Sequence, residues 1–194
     1  MSTSPFALPP APETLEVTGE RVRLRPFEER DLEAMAGYRG DAEVCRFLPF
    51  DPQSPDDIRR RIGHLFGGTS LDGERGGVVL VIESEGAVIG DLVLFHLDTD
   101  AGSAEIGWVV SPGASGRGLA TAAVRALIDT AFGVYGLRRV EARIDPDNAR
   151  SVALAERLGM RREAHFVEKE WFKGRWGDLL VYAVLTREWA APAA

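Results

Sequence analysis

Residues 104–119 have the sequence AEIGWVVSPGASGRGL, which is the most informative stretch of the chain. Its apolar residues predict a strand over Ser103–Val110, which Pro112 ends. A loop with three glycines follows and opens directly into a helix, predicted over Gly116–Phe132. Glycine allows positive φ and close approach of a ligand, and the amides and dipole of a helix N-terminus attract anions. The stretch therefore indicates either a phosphate-binding loop or an ordinary glycine-rich helix cap.

Two well-known phosphate-loop patterns match this stretch poorly. Gly113 and Gly118 have the spacing of a Walker A loop, but the Lys and the Ser or Thr that must follow are missing. A nucleoside triphosphatase is therefore disfavoured. Gly116 and Gly118 could begin a dinucleotide fingerprint, but Thr121 occupies the position of its third glycine. A nicotinamide-dependent oxidoreductase remains only a weak alternative.

The sequence on both sides of this stretch predicts a mixed α/β domain. Strands and helices do not alternate regularly, so we expect a mixed sheet with helices on both faces rather than repeated βαβ winding. Asp41 and Ser54 are the predicted N-caps of two helices, and Ser54 forms a capping box with Asp57. The remaining predicted elements are Arg21–Arg25, Glu29–Tyr38, Asp41–Leu48, Pro55–Phe66, Val78–Glu83, Val88–Leu97, Arg139–Ile144, Asn148–Leu158, Arg161–Val167 and Leu179–Leu185.

Composition excludes several classes of protein. The 194 residues suit a single domain, predicted over 15–190 between a Pro-rich arm at 1–14 and a loose tail at 191–194. Lys and Arg number 23 against 30 Asp and Glu, and this net charge of −7 disfavours non-specific nucleic-acid binding. The single cysteine and the spacing of the three histidines give no disulfide framework and no metal site. Without an apolar run of about 20 residues or a secretory signal, we expect a cytoplasmic protein that does not enter membranes.

Several segments together resemble one known family. Ser115–Ala120 resembles the Q/R-x-x-G-x-G/A pyrophosphate loop of the GNAT superfamily of acyl-CoA-dependent N-acetyltransferases, with Ser115 in place of the first Gln or Arg. Arg21–Pro26 is similar to the first strand of that family, and Asn148–Ser151 to its N-x-x-S segment. Trp171–Asp178 looks like the closing hairpin of the RimJ/RimL-type branch, which acetylates ribosomal-protein N-termini. The resemblance extends from about Val17 to Trp189.

The resemblance implies a fold, a co-substrate and a set of binding residues. It implies the GNAT fold, a mostly antiparallel mixed sheet of about six or seven strands, and acetyl-CoA as the acyl donor without a metal. The acceptor would be a primary amine, either a protein N-terminus or a small molecule, that attacks the thioester directly in a ternary complex. A homodimer is compatible with this branch, although no residue pattern specifies one. The implied acetyl-CoA-binding residues are Trp108, Val109, Val110, Ser115, Gly116, Arg117, Gly118, Leu119, Ala120, Thr121, Asn148 and Ser151.

The reaction requires a proton acceptor for the amine and a proton donor for the leaving thiolate. Glu105 is the candidate base, because apolar neighbours on its strand would raise its pKa, although a salt-bridged glutamate is the alternative. Ser151 and Tyr182 are rival candidate acids. For Ser151 the alternative is a helix cap, as it is for Asn148, and for Tyr182 it is a core aromatic. His96 is a weaker candidate base.

Two further groups of residues are expected to be structural. The aromatic residues of the closing hairpin are interpreted as core or interface residues rather than pocket residues: Trp171, Phe172 and Trp176. The scattered acids could favour a cationic acceptor, but a solvated surface is the preferred interpretation: Asp51, Asp56, Asp57, Asp98 and Asp100.

Overall fold

A computed structural model describes residues 17–18, 21–66, 77–98 and 101–189 of the chain. Its centre is an eight-stranded sheet in the order β1-β2-β3-β4-β5-β6-β8-β7, in which only β5 and β6 pair in parallel. This confirms the expected mixed, mostly antiparallel sheet, to which a two-residue first strand is added. The strands are β1 Val17–Thr18, β2 Arg23–Pro26, β3 Gly77–Ser84, β4 Ala87–Asp98, β5 Ser103–Val110, β6 Arg139–Ile144, β7 Arg161–Phe172 and β8 Arg175–Leu185.

Among the described residues, five α-helices surround the sheet, and two of them begin at the predicted caps Asp41 and Ser54. The Asp41 side chain accepts a hydrogen bond from the Glu43 amide, 2.8 Å away. Ser54 and Asp57 form the predicted capping box: the Asp57 amide donates to the Ser54 hydroxyl, and the Ser54 amide to the Asp57 carboxylate. The helices are α1 Leu32–Arg39, α2 Ala42–Cys45, α3 Pro55–Phe66, α4 Leu119–Gly133 and α5 Ala149–Arg157.

The helices cover both faces of the sheet, because its inner strands are apolar on both sides. On β3, Leu80 and Ile82 pack into the larger core cluster, together with the apolar faces of α4 and α5. Val81, between them, points to the other face and packs with Met35 of α1 and Ile58 of α3. All five of these side chains are fully buried. Alternation along a strand therefore builds two cores on one sheet.

Several element boundaries differ from the prediction. α1 begins at Leu32 rather than Glu29, because Glu29–Asp31 forms a 3-10 turn. α4 begins at Leu119 rather than Gly116, because Gly116 and Gly118 have φ values of +78° and +76°, outside the helical region. α2 ends at Cys45 instead of Leu48. The last two strands continue to a tight turn at Lys173 and Gly174, although a bulge with positive φ at Glu168 interrupts the alternation of β7.

Some predictions concern segments that the structure leaves undescribed. The N-terminal arm at 1–14 and the tail at 191–194 lie outside the described residues. Within the described ranges, no helix is long and apolar enough to span a membrane. The same ranges contain no group of three or more His, Cys, Asp or Glu side chains arranged to hold a metal ion.

Candidate active site

The two parallel strands at the centre of the sheet separate after three residue pairs. β5 and β6 pair only from Ser103 with Arg139 to Glu105 with Glu141. Beyond Glu105, β5 remains paired with β4 as far as Val110, but it has no ladder partner on its β6 side. Residues 106–110 therefore present one open backbone edge, which an extended molecule with amide groups could pair with as an added strand.

The side chains along this open edge pack alternately against the two cores. Val109 is buried in the cluster below α1 and α3, whereas Trp108 and Val110 pack against the larger cluster on the opposite face. The edge is thus held in place from both sides of the sheet. Its unpaired backbone groups are available to a ligand.

The glycine loop begins directly beyond this edge. A 3-10 turn over Pro112–Ala114 leads into it, and the exposed Ser115 donates its amide to the Pro112 carbonyl at 3.1 Å. A Cβ atom built on Gly116 or Gly118 would have no neighbouring atom within 4 Å, so the loop is open to solvent. Gly118 is the N-cap of α4, and no side chain caps that helix.

The N-terminus of α4 has the features of an anion site. The first helical hydrogen bond from a backbone amide is that of Ala122 to the Gly118 carbonyl, 3.0 Å apart. The amides of Leu119, Ala120 and Thr121 come earlier and have no acceptor within the helix. The Leu119 side chain is buried in the core and anchors this end of the helix. Free amides and the helix dipole together attract an anion such as a phosphate.

Two polar side chains of the loop region already have protein partners. The Arg117 guanidinium donates to Glu85 at 2.8 Å, and its own carbonyl accepts from Arg21 at 2.9 Å. The Thr121 hydroxyl accepts from Arg157 at 3.1 Å. These contacts fix the loop, and they leave the binding of an anion mainly to the backbone.

A cavity of about 620 Å³ opens where β5 and β6 separate. Its floor is formed by β3, β4 and β5, and it lies on the face of the sheet that α1 and α3 cover. One wall comes from α1–α3 and the loop after α2, including Arg39 and Phe50. The opposite wall comes from β6 and the β7–β8 hairpin, including Glu170 and Asp178. This is the size of pocket that holds a small substrate.

Glu105 lies in this cavity at the last position where β5 pairs with β6. Its side chain is 17% exposed, and the nearest cation is the Arg143 Nε atom, 3.4 Å from Oε2. Burial raises the pKa of Glu105 to about 7; Arg143 opposes the rise, and Glu141 and Glu170 add to it. A carboxylate with this pKa can accept a proton near neutral pH.

Asn148 and Ser151 line the same cavity from the start of α5. The Asn148 Oδ1 atom accepts from the Ser151 amide at 3.2 Å, so the predicted capping role of Asn148 is confirmed. The Trp108 indole donates to the Ser151 hydroxyl oxygen at 3.1 Å. Because that oxygen accepts the bond, the hydroxyl proton is directed elsewhere and can be donated.

Tyr182 occupies a different position. It is buried in the larger core, is not among the residues that line the cavity, and its hydroxyl donates to Glu156 on α5 at 3.1 Å. Burial and Glu156 raise the pKa of this hydroxyl. The structure thus brings Glu105 and Ser151 to one cavity and keeps Tyr182 behind α5. His96 pairs with Ala104 through its backbone, and its side chain lies outside the described atoms.

A buried polar network that the sequence analysis missed forms part of the cavity wall. Asp91 on β4 accepts hydrogen bonds from Arg39 at 2.9 Å and from Tyr38 at 2.7 Å, and Arg39 also donates to Gln53. Phe50 stacks on the Arg39 guanidinium, 4.9 Å from ring centroid to Cζ. The one available signal was Asp91 itself, a charge within the apolar run of β4.

The tip of the β7–β8 hairpin covers the cavity. The Lys173 ammonium donates to the Cys45 carbonyl at 2.6 Å and to the Phe50 carbonyl at 2.9 Å, which ties the tip to the loop after α2. Phe172 lines the cavity, contrary to the interpretation of the hairpin aromatics as core or interface residues. Trp171 and Trp176 are 64% and 55% exposed and contact each other edge to face, so they are not core residues either.

The acids expected on the solvated surface are consistent with that assignment where they are described. Asp56 and Asp57 are paired with arginines of their own helix, and the Asp51 side chain is 88% exposed. The Asp98 side chain and Asp100 lie outside the described atoms.

Comparison with known proteins identifies relatives of this arrangement. Residues 21–161 match the Acetyltransferase (GNAT) domain family. The chain is 30% identical over 171 residues to "Uncharacterized N-acetyltransferase p20" of Bacillus licheniformis, covering 88% of this chain and 96% of that protein. It is 24% identical over 183 residues to the spermidine N(1)-acetyltransferase of Escherichia coli K12, covering 88% and 89%. A crystal structure of a GNAT-family acetyltransferase from Bacillus anthracis superimposes with a TM-score of 0.78 at 28% identity, over 90% of this chain and 100% of that one.

Proposed function

Because the chain belongs to the GNAT acetyltransferase domain family, we propose that it transfers an acetyl group from acetyl-CoA to a primary amine in a direct ternary complex. The acceptor is a protein N-terminus or a small molecule. The observation that carries the proposal is a juxtaposition along β5: an open strand edge and a buried carboxylate with a raised pKa meet at one cavity, and an uncapped helix N-terminus follows that edge directly in the chain.

The residues of the glycine loop fit the pyrophosphate of acetyl-CoA. The backbone amides from Gly116 to Thr121 provide donors, and the open space above both glycines admits a phosphate close to the chain. Arg117 adds positive charge at the rim of the loop, although Glu85 shares it. Ser115 contributes as part of the backbone turn. Binding of the pyrophosphate through backbone amides requires the glycines. It does not require Gln or Arg at the first position of the loop motif, which Ser115 occupies.

The open edge of β5 fits the uncharged middle of the same co-substrate. The pantetheine arm carries amide groups, which can pair with the backbone of Trp108, Val109 and Val110 as a further strand would. Asn148 borders the same opening between β5 and β6. When bound, acetyl-CoA supplies an acyl group that is already activated as a thioester.

Glu105 is the proposed proton acceptor, directly or through a water molecule. An ammonium group must lose a proton before its nitrogen can attack, and Glu105 faces the cavity that an acceptor would enter. With a pKa of about 7, it exists in both protonation states near neutral pH. Arg143, 3.4 Å away, helps to keep part of the population ionised.

Ser151 is the proposed proton donor for the departing thiolate. The indole of Trp108 holds its oxygen, and the amide of Ser151 is held by Asn148, so the side chain has a fixed position at the cavity. Tyr182 is the rival donor. To act, its hydroxyl would have to leave Glu156 and reach past α5, which makes Ser151 the simpler choice.

The nature of the acceptor amine is supported only by similarity. The hairpin at Trp171–Asp178 resembles the RimJ/RimL-type branch and favours a protein N-terminus. The Escherichia coli relative is named for spermidine, a small polyamine, at 24% identity. A primary amine is therefore the proposed acceptor, and the charges of the cavity select among such amines.

An assay with purified protein tests the proposal. The full chain is incubated with acetyl-CoA and a panel of primary amines that includes short peptides, and both the free thiol of CoA and the acetylated amine are quantified. We expect equal amounts of both products with at least one amine, and no acetylation of the enzyme itself when the amine is omitted. Binding of acetyl-CoA without turnover on any amine would contradict the proposal and indicate an acyl-CoA-binding protein. Faster reaction with succinyl-CoA would correct the identity of the acyl group.

A further inference from the structure

Three consecutive arginines on α3 differ in their partners. Arg59 pairs with Glu29 and Asp56, and Arg60 pairs with Asp57. Arg61 has no carboxylate partner among the residues that the structure describes: Ile58 lies three residues before it, and Asp57, four residues before it, pairs with Arg60. Arg61 is also the one of the three that lines the cavity.

The surroundings of Arg61 leave its charge uncompensated. Its guanidinium stacks on the Phe50 ring, 4.6 Å from Cζ to the centroid, and the same ring stacks on Arg39. Asp91, the acid nearest to this end of the cavity, is already engaged by Arg39 and Tyr38. Burial and the neighbouring Arg39 lower the pKa of Arg61. A half-buried cation without a counter-ion is costly, and an anion from outside would relieve that cost.

The opposite wall of the cavity carries negative charge. Glu170 lies on this wall, on β7, and Glu105 lies beside it on the floor, where Arg143 offsets part of the charge of Glu105 from 3.4 Å away. In the described part of the chain no cation pairs with Glu170. Asp178 borders the same wall but is engaged by His165 at 2.8 Å. An ammonium group is therefore attracted to the end of the cavity that holds Glu105.

The sheet register sets the separation of the two ends. Arg39 and Arg61 line one end of the cavity, and Glu105 lies at the other. Asp91, which accepts a hydrogen bond from Arg39, pairs with Val109 on β5. Val109 is four residues from Glu105 on the same strand, which corresponds to roughly 13 Å. An acceptor that contacts both ends must be several bonds long.

We propose that the acceptor is an amine that also carries an anionic group, of which a carboxylate is the simplest, and that Arg61 binds that group while the amine lies at Glu105. This inference rests on the proposed acetyl transfer and specifies its substrate class. An extended polycation is the opposite class, because its distal ammonium would lie beside Arg61 and Arg39. Arg61 would therefore exclude polyamines by like-charge repulsion.

A matched set of acceptors isolates the distal group. The probes are 6-aminohexanoate, hexylamine and 1,6-diaminohexane, which share one reacting amine and differ in a distal carboxylate, methyl or ammonium group. Homologues with four and eight carbons test the length. With wild-type protein and saturating acetyl-CoA, we expect kcat/KM for the carboxylate to exceed that for the matched alkylamine by about 10-fold or more. The diamine should be the poorest acceptor, and the longer carboxylates should be preferred to the shortest.

Variants of α3 assign the preference to Arg61. Arg61→Ala should reduce the ratio of kcat/KM for the carboxylate to kcat/KM for the alkylamine to near one, and Arg61→Lys should retain part of the preference. Arg60→Ala is the matched control, since Arg60 lies one residue away and pairs with Asp57 on the surface. Equal losses on carboxylate and alkylamine in Arg61→Ala would overturn the proposal, as would a wild-type preference for the diamine.

The outcomes separate this inference from the proposed function. Acetylation of the amines without a preference for the carboxylate refutes the role of Arg61 and leaves the acetyltransferase intact. Absence of acetylation with every amine, despite acetyl-CoA binding, refutes the proposed function instead. Thermal stabilisation by 6-aminohexanoate in the presence of CoA gives a second readout, which Arg61→Ala should abolish and Arg60→Ala should not.

Discussion

Glu105→Gln replaces a carboxylate that resists ionisation with a neutral side chain of nearly the same shape. Burial raises the pKa of Glu105 from its ordinary value of 4.5 to about 7, and each pKa unit corresponds to about 1.4 kcal/mol. The raised pKa favours the folded protein below about pH 4.5, and this advantage is lost as the pH rises through 7. Glutamine never ionises. The variant should therefore be more stable than wild type above pH 7. We expect a gain of about 2–3 kcal/mol, which is less than the full value of the pKa shift because Arg143 loses a partner at 3.4 Å.

Urea unfolding at pH 5, 6, 7 and 8 measures this difference. The free energy of unfolding of Glu105→Gln minus that of wild type should be small at pH 5, increase through pH 6 and 7, and level off by pH 8. Glu33→Gln, at an exposed position on α1, is the control and should give a pH-independent difference. A flat difference for Glu105→Gln as well would refute the argument that burial keeps this carboxyl neutral.

The same variant separates the role of Glu105 in proton transfer from its role in stability. Glu105→Gln should lose most turnover while binding acetyl-CoA as wild type does, because it removes the proton acceptor and leaves the glycine loop unchanged. In wild type, kcat/KM should rise with pH to about 7 as Glu105 ionises. Wild-type-like kcat in a variant of increased stability would refute the catalytic assignment.

Further predictions concern the proton donor and the cover of the cavity. Ser151→Ala should lower kcat by 10- to 100-fold with little change in KM. Tyr182→Phe should lower stability, because the hydrogen bond to Glu156 is lost, and should leave kcat close to wild type. If Tyr182→Phe lowers kcat and Ser151→Ala does not, Tyr182 is the proton donor; if neither variant lowers kcat, water is the donor. Lys173→Met should raise KM for the amine several-fold and lower stability by about 1 kcal/mol, because the hairpin tip loses two hydrogen bonds to backbone carbonyls. Lys169→Met, on the same hairpin, is its control, and equal effects of both variants would contradict the role of Lys173.

Local sequence patterns predicted the elements that position the site. The alternation over Ser103–Val110, the glycines that follow it and the capping residues Asp41, Ser54 and Asn148 all act within a few residues, so the chain specifies them directly. The glycine loop was predicted, but the start of α4 at Leu119 was not. The sequence does not show whether a glycine such as Gly118 has a left-handed or a helical backbone conformation.

The features that were missed join residues far apart in the chain. The pairing of Arg39 with Asp91 spans 52 residues, and the contact of Lys173 with Cys45 spans 128. The sequence gives no reason to separate Arg61 from Arg59 and Arg60. Only the fold shows that Arg61 is the one of the three that lines the cavity. The exposure of Trp171 and Trp176 rules out a place in the core, which aromatic residues on a strand normally indicate, whereas their role as interface residues stays a prediction.

The most direct measurement is calorimetric titration of acetyl-CoA into wild-type protein and into Gly118→Trp. Gly118 has φ +76° at the N-cap of α4, so the substitution blocks the loop where the amides converge. Gly136→Trp is the matched control, at an exposed glycine with φ +63° in the turn after α4. Micromolar binding by wild type and Gly136→Trp, lost in Gly118→Trp, is the predicted result. Absence of binding by wild type, or equal binding by Gly118→Trp, would contradict the account.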